Sequence, residues 1–134
     1  MAAAVFKAAP LAILCAGCSS IHATPATFEG TRWQARAING LSLAGGERLI
    51  LDFGPYYSSA IGACNNKQSH YRILRRTTVF EGGMTTERGC RDKLMAFDAR
   101  AFALLAGPMR MKWRSGNRLA LSNSGGSIEL ELLR

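Results

Sequence analysis

From Phe28 onward the chain alternates apolar and polar residues in short runs separated by Gly, Asn and Pro. Alternation at period two marks a strand with one buried and one wet face. Trp33–Ile38 is the first such run, and Asn39-Gly40 after it is a strong hairpin turn. Arg48–Phe53 follows with Leu49, Leu51 and Phe53 on one face, and Gly54-Pro55 breaks it. Shorter strands are predicted at Ser58–Cys64, Tyr71–Arg75, Thr77–Phe80 and Met84–Glu87, with Gly82-Gly83 as a turn between the last two. Met109–Arg114 alternates without a break. Ser115-Gly116-Asn117 turns the chain into Arg118–Leu121, and Gly125-Gly126 turns it into Ser127–Leu132.

One segment departs from this pattern. Lys93–Ala106 places Leu94, Phe97, Ala101, Leu104 and Leu105 on one side at helical spacing. Asp92 is the expected N-cap, Gly107 suits a left-handed stop, and Pro108 forbids continuation. The fold class is therefore α+β, mostly β. It is a curled antiparallel sheet or partly open small β-barrel of about seven to eight strands, with one helix before the last three strands.

Before Phe28 the pattern changes again. Lys7 is the only charge among residues 1–17, and the apolar run Ala8 to Gly17 is too short to span a bilayer as a helix, which takes about 20 apolar residues. It has the length of a signal-peptide apolar region. The run ends Leu14-Cys15-Ala16-Gly17-Cys18-Ser19, where small residues before a cysteine resemble a lipobox, although Cys15 stands where Leu is usual. On that reading the Cys18 thiol takes a diacylglycerol, the chain is cut before Cys18, and the new amino group is acylated. Several acyl chains give a lasting anchor where one does not. Ser19, in place of Asp, directs such a protein to the outer membrane, lipid-anchored and facing the periplasm. Competing readings are cleavage after Ala23 by an ordinary signal peptidase, and an uncleaved interfacial helix. Residues 18–27 are small, mostly polar and uncharged, which suits a flexible tether. The organisation expected is a lipoprotein signal at 1–17, a tether at 18–27 and one domain at 28–134.

Composition bounds the function. The 134 residues suit one domain, and 48% apolar residues allow a core. Seventeen Lys and Arg against nine Asp and Glu give a formal charge of +8. Losing Lys7 with the signal would lower it to +7. A basic surface attracts anions of many kinds, and an export signal makes nucleic acid the least expected of them. The densest row is Arg110, Lys112 and Arg114, which a strand points one way, opposite Met109, Met111 and Trp113. Arg72 and Arg76 are candidates to extend it. Such a row suits an acidic lipid or an acidic envelope protein. The plainer reading is a wet strand face blunted against edge pairing.

Little else suggests chemistry. His70 is the only histidine after Phe28, and a surface histidine is its expected role; His22 lies in the tether, with nothing nearby to orient it. There is no Gly-x-Ser-x-Gly, phosphate loop or metal-ligand spacing. Glu129 and Glu131 share a strand face and read as an exposed edge. No catalytic residue, metal or cofactor is expected.

Several features together resemble the META/HslJ family of small envelope domains. Trp33 with Ile38-Asn39-Gly40 is similar to the family's opening strand and turn, and Leu51-Asp52-Phe53 to its next strand. Gly62-Ala63-Cys64-Asn65 resembles a Gly-x-Cys-Asn element, Tyr71 the aromatic after it, and Thr86 and Cys90 the Thr and Cys of a second element. Residues 93–106 resemble its single helix, and Gly116–Leu121 and Ile128–Leu133 its last two strands. Glu87-Arg88 replaces the family's usual Arg-Met before the second cysteine, and the glycine usual before the aromatic is missing from 66–70. The resemblance implies a non-enzymatic lipoprotein that supports outer-membrane integrity or stress and drug tolerance through binding. It is expected as a monomer with no nucleic-acid partner; the alternative is an inhibitor of an enzyme such as lysozyme. In that setting Cys15 leaves with the signal, Cys18 carries lipid, and Cys64 and Cys90 form a disulfide. Closing a loop of about 27 residues is worth roughly 3–4 kcal/mol in the chain-entropy model.

Overall fold

A computed structural model describes residues 28–134. The expected signal at 1–17 and tether at 18–27, with Cys15, Cys18 and His22, lie outside them. Nine strands and one helix follow in the order β1 (Arg32–Ile38), β2 (Leu41–Ser42), β3 (Ile50–Phe53), β4 (Tyr57–Ile61), β5 (Asn66–Leu74), β6 (Thr77–Thr85), α1 (Asp92–Leu104), β7 (Gly107–Ser115), β8 (Arg118–Asn123) and β9 (Gly126–Leu133). Every neighbouring pair is antiparallel, and β1 also pairs with β9 from Arg32↔Leu133 to Ile38↔Ile128. That pairing closes eight strands into a barrel, with β2 as a ninth strand beside the far half of β1. Closure removes the long free edges that would otherwise template aggregation.

The alternation along the strands sorts the side chains. Trp33, Ala35, Leu51, Phe53, Phe80, Met109, Met111, Leu119, Leu121, Ile128 and Leu130 face inward and are buried. One end of the barrel is covered by α1, whose Phe97, Ala101, Phe102 and Leu104 join the same core, as does Leu105 just after it. The other end is filled by Phe28, which stacks on Trp33 at 5.7 Å and meets Phe53 edge-on at 4.9 Å and Trp113 at 5.8 Å. The barrel is thus filled at both ends.

Local chemistry explains the connections and several differences from expectation. Asn39 and Gly40 both take positive φ, 52° and 76°, the mirror-image turn that an antiparallel hairpin favours. Gly82-Gly83 is not a turn. Gln68 pairs with Met84 and His70 with Glu81, so Gly82 and Gly83 together oppose Ser69 alone. The two predicted strands are one strand with a bulge, and the two glycines supply its positive φ of 61° and 135°. Asp92 does not cap the helix. Arg91 is the N-cap, without a side-chain bond, and Asp92 lies in the first turn, where its charge meets the positive end of the helix dipole. The helix ends at Leu104 rather than Ala106. Gly107, at φ +80°, turns the chain into β7.

The strand at Ser58–Cys64 stops at Ile61, because residues 63–65 turn their N–H groups to the helix instead of to a strand. β5 begins five residues earlier than Tyr71, at Asn66.

Candidate functional site

The outer wall of β7 carries Arg110, Lys112 and Arg114, all exposed, while Met109 and Met111 point into the core. The predicted cationic row is therefore on one surface. Its neighbours on β8 are small: Ser122 lies opposite Arg110, and Ala120 opposite Lys112. On the other side Thr77 lies opposite Arg110, and the Met111 N–H donates to the carbonyl of Arg76 at 2.7 Å. The β5–β6 hairpin thus sets Arg75 and Arg76 beside the row. Arg76 lies beside it through this backbone contact. Arg72 does not join the row, because its guanidinium is taken by Glu81 at 2.8 Å.

Neutralisation across this wall is uneven. Arg114 pairs with Glu129 at 3.1 Å, and Glu131 receives both Arg36 at 3.3 Å and Arg118 at 3.4 Å. The two glutamates are ion-paired on the barrel wall and do not form an open edge. Among the described residues, Arg75, Arg76, Arg110 and Lys112 have no carboxylate partner. A cluster of this kind keeps its field available to an anion outside the protein.

The second constructed region lies at the helix-covered end, and sequence reading did not single out its centre. Asp98 on α1 is 2% exposed. Its Oδ1 accepts the N–H of Ala63 at 2.7 Å, and its Oδ2 accepts those of Cys64 at 2.9 Å and Asn65 at 2.6 Å. Asn65 Oδ1 in turn accepts the Thr86 hydroxyl at 2.8 Å and the Arg88 N–H at 2.7 Å. The Cys64–Cys90 disulfide, with Cα atoms 6.1 Å apart, ties the same two segments covalently. The Gly-x-Cys-Asn and Thr…Cys elements of the sequence meet here, and their polar atoms are spent on one another. The signal for Asp98 was available: it sits four residues after Leu94 and three before Ala101, inside the apolar stripe, where an acid needs dedicated donors.

The helix C-terminus is closed by side chains. Lys67 Nζ donates to the carbonyls of Phe102 at 3.2 Å and Leu105 at 3.0 Å, and Asn123 donates to Leu104 at 2.9 Å. Burial lowers the Lys67 pKa below its ordinary 10.5. Tyr71 donates to the Gly54 carbonyl at 2.6 Å, and burial first, then the charge of Glu29, raise its pKa above the ordinary 10.0.

His70 is exposed on the outer wall and packs against Tyr57, with ring centroids 4.2 Å apart and the planes tilted by 37°. Among the described residues, no three His, Cys, Asp or Glu side chains gather as a metal would require, and no helix is long and apolar enough to cross a membrane. Open surface grooves lie among the described residues. One of about 410 Å³ lies between β2 and α1, beside Leu41, Leu43 and Phe97. Another, of about 420 Å³, crosses β3 to β6 beside Asp52, Gln68 and Met84.

Two solved structures share this fold. One is an NMR structure that matches with a TM-score of 0.66 at 18% identity, covering 81% of this chain and 94% of its own. The other, an NMR structure of a protein from Burkholderia xenovorans, also has a TM-score of 0.66, at 15% identity, covering 93% of this chain and 99% of its own. No curated protein matches the sequence significantly. The family model for the META domain matches residues 26–132, which span both linked elements, the helix and almost all of the closed barrel, and the chain belongs to that family.

Proposed function

We propose that this META domain works without catalysis, as a lipid-anchored protein of the cell envelope that supports the outer membrane under stress by binding an anionic component through the basic wall of β7. The observation that carries the reading is the cluster Arg75, Arg76, Arg110 and Lys112, exposed and without carboxylate partners among the described residues. The scaffold beneath it suits a binding surface. The barrel is closed and bridged by a disulfide, so the cations stand on a rigid wall. A filled interior favours recognition on the outside rather than within.

The test is co-purification from membranes of the lipidated protein against an Arg110→Ser/Lys112→Ser/Arg114→Ser variant. The variant should keep its fold, since the one ion pair it breaks is half-exposed and worth at most about 1 kcal/mol. A lipid or protein lost only in the variant identifies the ligand. Identical recoveries would reduce the row to a solvated strand face.

A further inference from the structure

The antiparallel order brings a specific set of segments to the Phe28 end of the barrel: the start of β1, the β3–β4 turn, and the β5–β6 and β7–β8 hairpins. The chain enters the described fold here. The ten residues from Cys18 to Phe28 reach about 35 Å at most even if fully extended. An acyl group on Cys18 would keep this end, where the chain enters the barrel, within that distance of the bilayer.

The surface at this end combines apolar tips with arginines. Large apolar groups stand free here, with Tyr56 73% exposed and Leu74 50% exposed, as Leu41 and Met84 also do toward the helix-covered end. The β5–β6 turn that follows Leu74 is made of Arg75-Arg76, with Arg75 at a φ of 57°. Asn or Gly adopts that conformation at less cost, so Arg75 there goes against local preference. The charges are one-sided as well. Asp52 is held by Arg32, and Glu131 by Arg36 and Arg118, which leaves Glu29 against Arg75, Arg76 and Arg134. At the helix-covered end, Glu47, Glu87 and Asp92 interleave with Arg48, Arg88, Arg91, Lys93 and Arg100.

We infer that the Phe28 end of the barrel seats on the anionic headgroups of the membrane that holds the anchor, with Tyr56 and Leu74 entering the interface and Arg75 and Arg76 meeting lipid phosphates. Apolar and aromatic tips beside arginines are the chemistry of an interfacial contact, and each supports the other: the apolar groups gain only at the surface, and the cations draw them there. The inference rests on the anchored reading above and names the bilayer itself as the anion. The β7 row rises from this contact along the side of the barrel.

The test uses the full lipidated protein in vesicles of phosphatidylglycerol with brominated acyl chains, which quench tryptophan on contact. Leu74→Trp and Leu41→Trp place reporters at opposite ends, with the unsubstituted protein as background. Leu74→Trp should be quenched roughly twofold or more over Leu41→Trp, and salt near 1 M, where charges are screened within about 3 Å, should erase the difference. Adding Arg75→Ser/Arg76→Ser, or replacing the lipid by brominated phosphatidylcholine, should do the same. Equal quenching of both reporters overturns the inference, as does quenching of Leu74→Trp that ignores the arginines. Should co-purification reveal an acidic protein lost with the β7 row while Leu74→Trp stays unquenched, the barrel end does not face lipid and the binding function stands. Should Leu74→Trp be quenched while the β7 variant loses nothing, the binding function falls and the membrane seat stands.

Discussion

The carboxylate of Asp98 accepts the backbone N–H of Asn65 at 2.6 Å across 33 positions of sequence. With the bonds to Ala63 and Cys64, it is the sole side-chain acceptor for three consecutive N–H groups at the end of β4. Asp98→Ala strands those donors in a buried site, at about 1–3 kcal/mol for each that water fails to reach, so a loss of roughly 3 kcal/mol or more is expected in urea unfolding. Gly62→Ala attacks the same latch from the other side, because a Cβ there would overlap Asp98 Oδ1. Both variants should unfold early with the disulfide intact. A cost under about 0.5 kcal/mol for each would mean that the latch contributes nothing beyond an ordinary surface site.

The bulge in β6 makes a contrasting pair of predictions. A Cβ at Gly83 would lie 2.8 Å from the Gln68 carbonyl and 2.9 Å from the Ser69 hydroxyl, at a φ of 135°. Gly83→Ala should cost roughly 1–3 kcal/mol. Gly82 has a φ of 61° and nothing within 4 Å. Asn tolerates that conformation, so Gly82→Asn should fall within about 1 kcal/mol of the parent. Equal costs in thermal unfolding would contradict the bulge.

Reduction tests the covalent tie. Cys64 and Cys90 are 26 positions apart. Cys64→Ala/Cys90→Ala should lower stability by about 3–4 kcal/mol in the chain-entropy model. The barrel strands should persist, because neither cysteine lies in one. Amide exchange should quicken mainly over residues 86–91, whose remaining links to the 62–65 loop run through Asn65.

Alkaline stability is set by two groups that act in opposite senses. Lys67 has its folded pKa below the ordinary 10.5, so above the folded value the unfolded chain binds more protons and stability rises with pH toward 10.5. Tyr71 has its folded pKa above the ordinary 10.0, so from 10.0 upward the folded chain keeps a proton that the unfolded chain releases, and stability falls. Lys67→Met should remove the rise, and Tyr71→Phe should remove the fall. Urea midpoints across this range would show the two variants diverging from the parent in opposite directions. Parallel profiles would contradict both assignments.

Much of this fold is written in local pattern. Strict alternation along 109–114 and 127–132 specifies which face of each strand is buried, because successive side chains on a strand must point oppositely. Asn39-Gly40 specifies its turn through backbone sterics alone, and the apolar stripe with Gly107 and Pro108 announces one helix before three strands. The cationic row on β7 was legible for the same reason: side-chain direction on a strand is a local property.

What tertiary structure alone decided is who meets whom. The closing pair β1–β9 joins segments about a hundred residues apart, and no local preference encodes a partner at that distance. Gly82-Gly83 is a turn by composition and a bulge by context, since only the pairing with Gln68 and His70 keeps the strand running. The apolar stripe places Asp98 on the buried side of α1, but only the folded 62–65 loop supplies the donors that its carboxylate accepts. Arg72 and Arg76 are alike in sequence, yet Glu81 neutralises one while the β7 backbone sets the other beside the basic row. Periodicity fixes directions along each strand; register and cross-strand neighbours determine which charges remain free for a partner.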